Sequence, residues 1–266
     1  MFCGTLDPNP KINGRGIKSL EKAGIETNVG LLKDDCKELN RIFFINQKKS
    51  RPYIILKSAQ SIDGKIALKN GDSKWISNPE SRKDSHHLRS RVKGILVGRR
   101  TAEGDNPSLT IRLSKKELNL NKIDLIEQPV KIILGNLKKS KKVNKIFSKN
   151  SKVIIGSKML AKNNNDIEYI KYEKKNFLEE FMYDLYKKGI SSILVEGGQK
   201  TLNAFIANNL FDELVLYTAP TFLGKESIQT LGLKAPKSMK HLKRLKMAKI
   251  ETFNDDIKTT YFNGKI

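Results

Sequence analysis

The sequence predicts an α/β protein whose central sheet is mostly parallel and ends in an antiparallel edge. From Pro52 onward, short apolar stretches of strand length alternate with stretches that carry apolar residues at helical spacing. Glycines and polar turns separate the two kinds of stretch. Late in the chain, two strand-like stretches flank a turn at Asn254 to Asp256 and predict a hairpin. The alternation favours parallel pairing, and the hairpin adds antiparallel strands.

The elements follow in a regular order. The strand PYIILKSAQ leads into a polar loop, SIDGKIALKNGDSKW. NPESRKDSHHLRSRV predicts a helix, because Asn78 suits the N-cap and Pro79 the first helical position. A second helix covers 177–188 and ends at Gly189, and the chain continues as strand, glycine turn, helix and strand. Further predictions are strands at GILVG, Val130 to Leu134, Val153 to Ile155 and Tyr169 to Tyr172, and a loop over RRTAEGDNPSLTIRL.

The first residues form a separate pattern. DPNPKINGRGIKSLEKAGIETNVGLL predicts a polar loop, a short amphipathic helix that stops at Gly24, and a strand. This αβ unit has no predicted sheet before it to pack against. The polar stretch 46–52 precedes a proline and marks the domain boundary. We therefore divide the chain into 1–48 and 49–266.

Composition limits the classes of function. The 266 residues carry a net charge of +23, which raises the hypothesis of a basic module that binds RNA. The lysines are spread along the chain, no aromatic residues interleave with them for base stacking, and the densest run, Lys138 to Lys142, is predicted as a solvated turn. No apolar run reaches membrane-spanning length, and Cys3 and Cys36 have no metal or redox spacing. We expect a cytoplasmic protein that binds neither membranes nor nucleic acid.

The strongest local motif joins a strand to a helix at Val195 to Leu202. Its paired glycines allow close approach of a ligand, and the helix start offers free N–H groups. Glu196 would point into the crevice where α/β sheets bind ligands. A plain turn is the alternative reading, and the motif is neither the dinucleotide fingerprint nor a Walker-type loop.

A second group of polar residues spans 57–112. Trp75, the only tryptophan, is either a core residue or a planar wall for a ring. His86 and His87 lie mid-helix without ligand spacing and are expected to have no catalytic or metal role. The other members are Lys57, Asp63, Lys65, Ser73, Arg89, Thr101, Asp105, Asn106 and Arg112.

Together these stretches resemble a known family. LKSAQSIDGKIAL, GDSKWIS, ILVGRRTAEGDNPSLTIR and ILVEGGQKTLNAFI look like the reductase domain of the bifunctional riboflavin-biosynthesis deaminase/reductase. Residues 1–48 resemble the last part of the family's zinc deaminase domain and a helical linker. The sequence contains no H-x-E and no C-x-x-C, so zinc and deaminase activity are expected to be absent. Either a natural reductase-only form or a truncated piece fits, and a separate deaminase chain is a possible partner.

The resemblance implies a dihydrofolate-reductase-like fold, a homodimer and NADPH as cofactor. It implies reduction of 5-amino-6-(5-phosphoribosylamino)uracil to the ribitylamino product, with no metal. A related pteridine or dihydrofolate-type reductase is the alternative on the same fold. The implied substrate residues are Ser73, Arg89, Leu109, Arg112 and Glu196. The implied cofactor residues are Ala59, Trp75, Thr101, Asp105, Gly198, Gln199, Lys200, Thr201, Leu202, Asn203 and Ala204.

The chemistry of the side chains suggests a role for some members of these sets. Arg89 and Arg112 suit a phosphate clamp, and Glu196 would either accept hydrogen bonds from sugar hydroxyls or relay a proton. Lys57 is a further catalytic candidate, although a structural ion pair is equally consistent with its position. Arg99 and Arg100 replace the small, uncharged residues that the family usually has there, and they are a possible site for the 2′-phosphate of NADPH.

Overall fold

The computed structural model describes residues 1–121, 123–137, 145–148, 152–158, 164, 166–172 and 177–264. Lys138 to Lys142, predicted above as a solvated turn, lie outside the described residues. The chain divides into two compact units. The first comprises 1–53, 182–191 and 265–266, and the second comprises 54–181 and 192–264. The predicted boundary between 48 and 49 remains a prediction.

The first unit is built from short elements. Strand β1 (Phe2–Cys3) pairs in parallel with β2 (Asn28–Val29), and helix α1 (Arg15–Lys22) connects them. The predicted helix and strand are therefore present. The strand pairs with β1, which the sequence analysis missed because two residues are too few to be recognised as a strand. Helix α1 buries no residue. Helices α2 (Lys33–Leu39) and α3 (Arg41–Lys49) follow.

The second unit contains the large sheet. Within the described residues it has nine strands in the order β12-β13-β10-β3-β9-β5-β6-β7-β8. Strand β10 is parallel to β3, and β5 to β8 are parallel to their sheet neighbours, whereas β13 pairs antiparallel with both β10 and β12. The predicted mostly parallel sheet with an antiparallel edge is confirmed. The strands are β3 (Tyr53–Ser61), β5 (Gly94–Gly98), β6 (Val130–Leu134), β7 (Val153–Ser157), β8 (Ile167–Lys171), β9 (Ser192–Val195), β10 (Glu213–Ala219), β12 (Lys246–Phe253) and β13 (Asp256–Phe262).

Four helices lie between residues 79 and 207. Helix α4 (Pro79–Ser90) begins as predicted, since the Asn78 side chain accepts a hydrogen bond from the N–H of Ser81 at 2.9 Å. The Asn78 side chain also donates to the carbonyl of Phe253. Helix α6 (Phe177–Lys187) and helix α7 (Gln199–Ala207) match the predicted helices. The fourth, α5 (Arg99–Asp105), occupies part of a predicted loop.

Two predicted loops contain regular structure. Helix α5 is stabilised by an i,i+4 ion pair between Arg99 and Glu103 at 2.8 Å and by the complete burial of Ala102. In the polar loop after β3, strand β4 (Lys65–Ala67) pairs antiparallel with β11 (Ile228–Gln229). Both elements are too short to show a hydrophobic period, so the loop prediction was wrong at these places.

The centre of the sheet forms the core of the second unit. Strands β5, β6, β7 and β9 contribute apolar side chains that are almost fully buried, as expected for parallel strands covered on both faces. The predicted hairpin is present as β12 and β13, with its turn at Asn254 and Asp255. None of the helices in the described part of the chain is long and apolar enough to cross a membrane.

Candidate active site

A cavity of about 1500 Å³ opens within the second unit. Its floor is formed where β5, β7 and β9 end, at Gly98, Gly156 and Glu196, so it lies beyond the carboxyl ends of parallel strands. This is the position at which open α/β sheets bind their ligands. Helix α5, the start of α7 and the loop 71–77 complete the walls.

Most of the predicted site residues meet at this cavity. Those that line it are Lys57, Ala59, Ser73, Trp75, Thr101, Asp105, Leu109, Glu196, Gly198, Gln199, Lys200, Thr201 and Ala204. Four others do not line it. Leu202 is buried in the core, Asn203 accepts a hydrogen bond from the N–H of Gly232, Arg89 is bonded to Glu196, and the exposed Arg112 is bonded to His86.

Arg89 and Glu196 form a two-point ion pair at the edge of the cavity. Nε of Arg89 donates to Oε1 of Glu196 at 2.9 Å, and Nη2 donates to Oε2 at 2.7 Å. Nη1 donates to the carbonyl of Thr110 at 2.9 Å. Each side chain is only 13% exposed. Arg89 therefore fixes the Glu196 carboxylate in position, and its predicted role in a phosphate clamp remains a prediction.

The two cavity-lining groups Lys57 and Glu196 have altered acidities. Burial by itself would raise the pKa of Glu196, but the charge and hydrogen bonds of Arg89, followed by Lys57, outweigh it and lower the pKa to about 2. Burial lowers the pKa of Lys57, while Glu196 opposes this shift. At neutral pH the carboxylate is ionised, and the ammonium is easier to deprotonate than that of an ordinary lysine.

His86 lies close to Lys57 and Glu196, although its position in the sequence suggested no catalytic or metal-binding role. The backbone N–H of Arg112 donates to Nδ1 of His86 at 3.1 Å, and Nε of Arg112 lies 3.2 Å from Nε2. Burial, then Arg89 and Arg112, lower the pKa of His86 to about 4, so the imidazole is neutral at pH 7. The spacing of Arg82, His86 and Arg89 places them on one face of α4, and this signal was available in the sequence.

Trp75 is not a core residue. Its side chain is 69% exposed and lines the cavity, and the guanidinium of Arg82 lies 4.5 Å from its ring centroid. Arg82 also donates to the carbonyl of Ser77 at 2.5 Å. The planar-wall reading is therefore consistent with the position of Trp75. Arg82 itself lines the cavity and was missed by the sequence analysis.

The glycines of the strand–helix motif serve helix packing. A Cβ on Gly197 would come within 2.5 Å of Cβ of Thr201, and a Cβ on Gly98 would come within 2.3 Å of its Oγ1. The sequence analysis expected these glycines to let a ligand approach closely. Instead, they let Thr201 of α7 pack closely against the strand ends. Gly198 has more space, and its N–H donates to Oγ1 of Thr101 at 3.3 Å.

Leu109 lines the cavity with a left-handed backbone, at a φ of 50°. Its side chain is 1% exposed, so packing holds a conformation that branched residues rarely adopt. The cavity has room for a dinucleotide and a second small molecule, and the start of α7 offers N–H groups to a phosphate. Within the described ranges, no three His, Cys, Asp or Glu side chains group as metal ligands.

Sequence comparison finds one family over most of the chain. The family model of the RibD C-terminal domain matches residues 52–259. The riboflavin biosynthesis protein RibD of Haemophilus influenzae is 33% identical over 98% of this chain and 72% of its own length. The corresponding protein of Aquifex aeolicus is 36% identical over 97% of this chain and 70% of its own length.

Solved structures agree with this match. RibD of Acinetobacter baumannii superimposes with a TM-score of 0.84 and 26% identity, over 99% of this chain and 72% of that one. A Thermotoga maritima diaminohydroxyphosphoribosylaminopyrimidine deaminase/5-amino-6-(5-phosphoribosylamino)uracil reductase superimposes with a TM-score of 0.82 and 30% identity, over 99% of this chain and 71% of that one. The yeast riboflavin biosynthesis reductase Rib7 shares the fold, with a TM-score of 0.59 and 18% identity.

Proposed function

The chain belongs to the RibD C-terminal domain family, and from this premise we propose that it reduces 5-amino-6-(5-phosphoribosylamino)uracil with NADPH. The product is 5-amino-6-(5-phosphoribitylamino)uracil, as expected for a step of riboflavin biosynthesis. The observation that carries the proposal is the Lys57 and Glu196 pair, which lines a cavity large enough for both ligands.

The chemistry requires one hydride and one proton. The ribosylamine ring opens to an imine, the hydride adds to sugar C1, and the proton ends on the amine nitrogen. When bound, NADPH supplies the hydride. The protein must then hold the sugar against the cofactor, stabilise positive charge on the imine and deliver the proton.

The geometry separates two roles for Glu196 that the sequence left open. Because Arg89 binds both of its oxygens and its pKa is about 2, Glu196 stays ionised and is poorly suited to donating a proton. We assign it to accepting hydrogen bonds from sugar hydroxyls and to stabilising the cationic imine. Lys57, with its lowered pKa, is the better group to hold the proton.

The remaining assignments follow the position of each residue. Ser73 and Leu109 would contact the substrate, together with Arg112, which is exposed beside His86. Arg89 would act by holding Glu196. Cofactor contacts are assigned to the wall residues Ala59, Trp75, Thr101, Asp105, Gly198, Gln199, Lys200, Thr201 and Ala204. Arg100 is exposed on the same wall and suits the 2′-phosphate.

The test is NADPH consumption by the purified chain with the enzymatically deaminated substrate. We expect turnover by the natural chain, and Glu196→Gln should lower kcat/KM about 100-fold or more while NADPH still binds. Glu127→Gln is the matched control, because it removes an exposed ion pair with Lys93, and neither residue lines the cavity. Full turnover by Glu196→Gln would refute the assigned role, and failure of the natural chain to turn over would refute the reaction.

We also infer a homodimer. Strand β12 lies at the antiparallel edge of the sheet, and Met247 and Ile250 on it are each 56% exposed. A second copy that covers this edge would satisfy its backbone and apolar side chains. Light scattering should give twice the chain mass, and Ile250→Lys should give the single mass. A single mass for the natural chain would contradict the proposal.

Residues 1–48 are proposed to be a remnant of a deaminase domain with its linker. The short β1–β2 pair and the exposed helix α1 support a fragment that lacks a core of its own. The expected result is neither zinc by elemental analysis nor deamination of the pyrimidine precursor. Stoichiometric zinc would overturn this part of the proposal, and deamination by a separate chain would identify the missing partner.

A further inference from the structure

A charged cluster outside the cavity lining lies on the same sheet face as Lys57, and the proposed reaction assigns it no role. The cluster consists of Asp84, Tyr217, Glu251 and Lys258 and is called the Asp84 cluster below. The Tyr217 hydroxyl donates to Oδ2 of Asp84 at 2.5 Å, and Nζ of Lys258 lies 2.7 Å from the same oxygen. Lys258 also pairs with Glu251 at 3.2 Å. Lys258 is 6% exposed and Tyr217 is 1% exposed.

The strand register connects this cluster to the cavity. Ala59 on β3 is directly opposite Tyr217 on β10, Tyr217 is opposite Lys258 on β13, and Lys258 is opposite Glu251 on β12. Residues opposite one another on neighbouring strands share a sheet face. Lys57 precedes Ala59 by two residues and lies on that face as well. The row therefore leads from the wall of the cavity to the edge of the sheet.

Tyr217 is the member that contacts Lys57. Nζ of Lys57 lies 5.2 Å from the centroid of the Tyr217 ring, within the range of a cation–π interaction. Nζ of Lys258 lies 5.8 Å from the same centroid. Burial, and then the bond to Asp84, raise the pKa of Tyr217, so its hydroxyl remains protonated and keeps the ring in a fixed orientation.

Asp84 is one of the two carboxylates whose charge favours the Lys57 ammonium, the other being Glu196. The groups of this region come from β3, β10, β12, β13 and α4, from Glu196 after β9, and from Arg112. The cations are Lys57, Arg89, Arg112, Lys249 and Lys258, the anions are Asp84, Glu196 and Glu251, and His86 and Tyr217 are neutral at pH 7. Burial lowers the pKa of Lys57, whereas Glu196 and then Asp84 oppose this shift. Loss of Asp84 would leave an excess cation in a poorly solvated place.

We propose that Tyr217, held by Asp84 and Lys258, is a positioning residue that fixes the Lys57 ammonium at the cavity wall, and that the Asp84 carboxylate behind this ring supplies part of the counter-charge of the ammonium. The inference rests on the proposed function only in that Lys57 takes part in the reaction. Asp84 and Lys258 do not line the cavity, so they act through Lys57 and Tyr217.

The test reads the titration of Lys57 without relying on turnover. The folded full chain is acetylated competitively over a pH series, and the extent at Lys57 is measured by mass spectrometry of peptides, with exposed Lys22 as internal reference. The variants are Asp84→Asn, Tyr217→Leu and the conservative Tyr217→Phe. Glu127→Gln is the control, since it removes a carboxylate outside the cluster. Thermal unfolding confirms that each variant is folded.

Asp84→Asn should lower the pKa of Lys57 by about one unit. It should move the alkaline limb of the pH profile of kcat/KM to lower pH by the same amount. Tyr217→Leu should lower kcat about 3- to 30-fold with little change in KM, because the ring no longer holds the ammonium. Tyr217→Phe keeps the ring but loses the bond to Asp84, so it should restore only part of that loss. The control should change neither quantity.

Two results would overturn the proposal. One is an unchanged Lys57 titration in folded Asp84→Asn, and the other is an unchanged kcat in folded Tyr217→Leu. If Asp84→Asn or Tyr217→Leu does not fold, the titration in Tyr217→Phe and in Lys258→Met decides, since Lys258→Met should shift the pKa of Lys57 upward. If the natural chain shows no turnover but Lys57 shifts as stated, the proposed reaction fails and the electrostatic role of Asp84 stands.

Discussion

Two lysines in different regions of the same sheet carry the same charge and have opposite surroundings. Lys57 on β3 faces the cavity, with the Tyr217 ring beside it and Glu196 and Asp84 nearby. Lys131 on β6 is fully buried, and its Nζ donates to the carbonyl of Ile146 at 2.9 Å and to Oγ of Ser148 at 3.2 Å.

The difference teaches how to separate a functional buried lysine from a structural one. Burial lowers the pKa of both ammonium groups. The Lys131 ammonium donates hydrogen bonds to neutral oxygens of the segment 145–148, and these bonds hold the segment against the sheet. At Lys57 the neighbours are charged or aromatic, and the ammonium borders open space where a substrate can reach it. Access and counter-charge, rather than burial, mark the functional lysine.

The largest expected effect comes from removing the Lys57 charge. Lys57→Met should lower kcat/KM about 100-fold or more, because the proton donor is lost, while the unfolding midpoint changes little. NADPH consumption and thermal unfolding measure the two quantities. Lys93→Met, which removes an exposed lysine, is the matched control. Turnover of Lys57→Met at the natural rate would contradict the claim that Lys57, unlike Lys131, takes part in the reaction.

The second effect should appear in stability alone. Lys131→Met leaves the Ile146 carbonyl and the Ser148 hydroxyl without their donor, and we expect the free energy of unfolding to fall by about 1–3 kcal/mol. Turnover at saturating substrate should stay within about threefold. Urea unfolding and NADPH consumption test this. A large loss of turnover with unchanged stability would place Lys131 on the functional side.

The third effect concerns pH and the neutral base beside the cavity. The pKa of His86 is about 4 in the folded protein and near 6.5 when unfolded, so the unfolded chain binds the extra proton between these values. The stability that His86 contributes is complete above pH 6.5 and is lost as the pH falls toward 4. His86→Gln should flatten the stability profile in that window, by about 1 kcal/mol, in urea unfolding at a series of pH values.

Glu196 provides the internal check on this third effect. Its folded pKa of about 2 lies below the ordinary 4.5, so its contribution is lost only at lower pH, between 4.5 and 2. His86 is the last of the groups that lower the pKa of Glu196, so His86→Gln should change that lower window less than the upper one. A profile that changes equally in both windows would mean that His86 acts through general packing.

The smallest effect separates the two acceptors of Lys131. Ser148→Ala removes the acceptor at 3.2 Å and leaves the carbonyl at 2.9 Å, so the free energy of unfolding should fall by less than about 1 kcal/mol. Urea unfolding measures the change. A loss as large as that of Lys131→Met would show that the hydroxyl, and not the carbonyl, anchors the segment.

The sequence predicted the elements that are long and have clear end signals. Helix α4 begins at Asn78 as expected, and the hairpin turns where it was placed. Helix α5 and strand β4 were missed, because seven residues and three residues are too few to establish a period. The long elements were therefore enough to predict the order of strands and helices along the chain. The short elements were identified only from their contacts in the structure.

The site was predictable as a set of residues and not as a set of contacts. The motif positions identified most of the cavity wall, including Glu196 and Trp75. The pairing of Arg89 with Glu196 joins residues 107 apart, and nothing local in the sequence specifies it. The contact of Gly197 with Thr201 is local, since the two are four residues apart across a helix start, and it could have been foreseen.

The place of β3 in the sheet has a consequence for how the chain is made. Strand β3 is the first strand of the large sheet in the chain, yet its neighbours are β9 and β10. The N–H of Ile54 donates to Oδ2 of Asp212, a residue 158 positions later. On the ribosome, the apolar stretch around Ile54 must therefore wait for more than half of the chain before it can pair. Slow folding and a need for protection of that stretch during synthesis follow from this long-range topology.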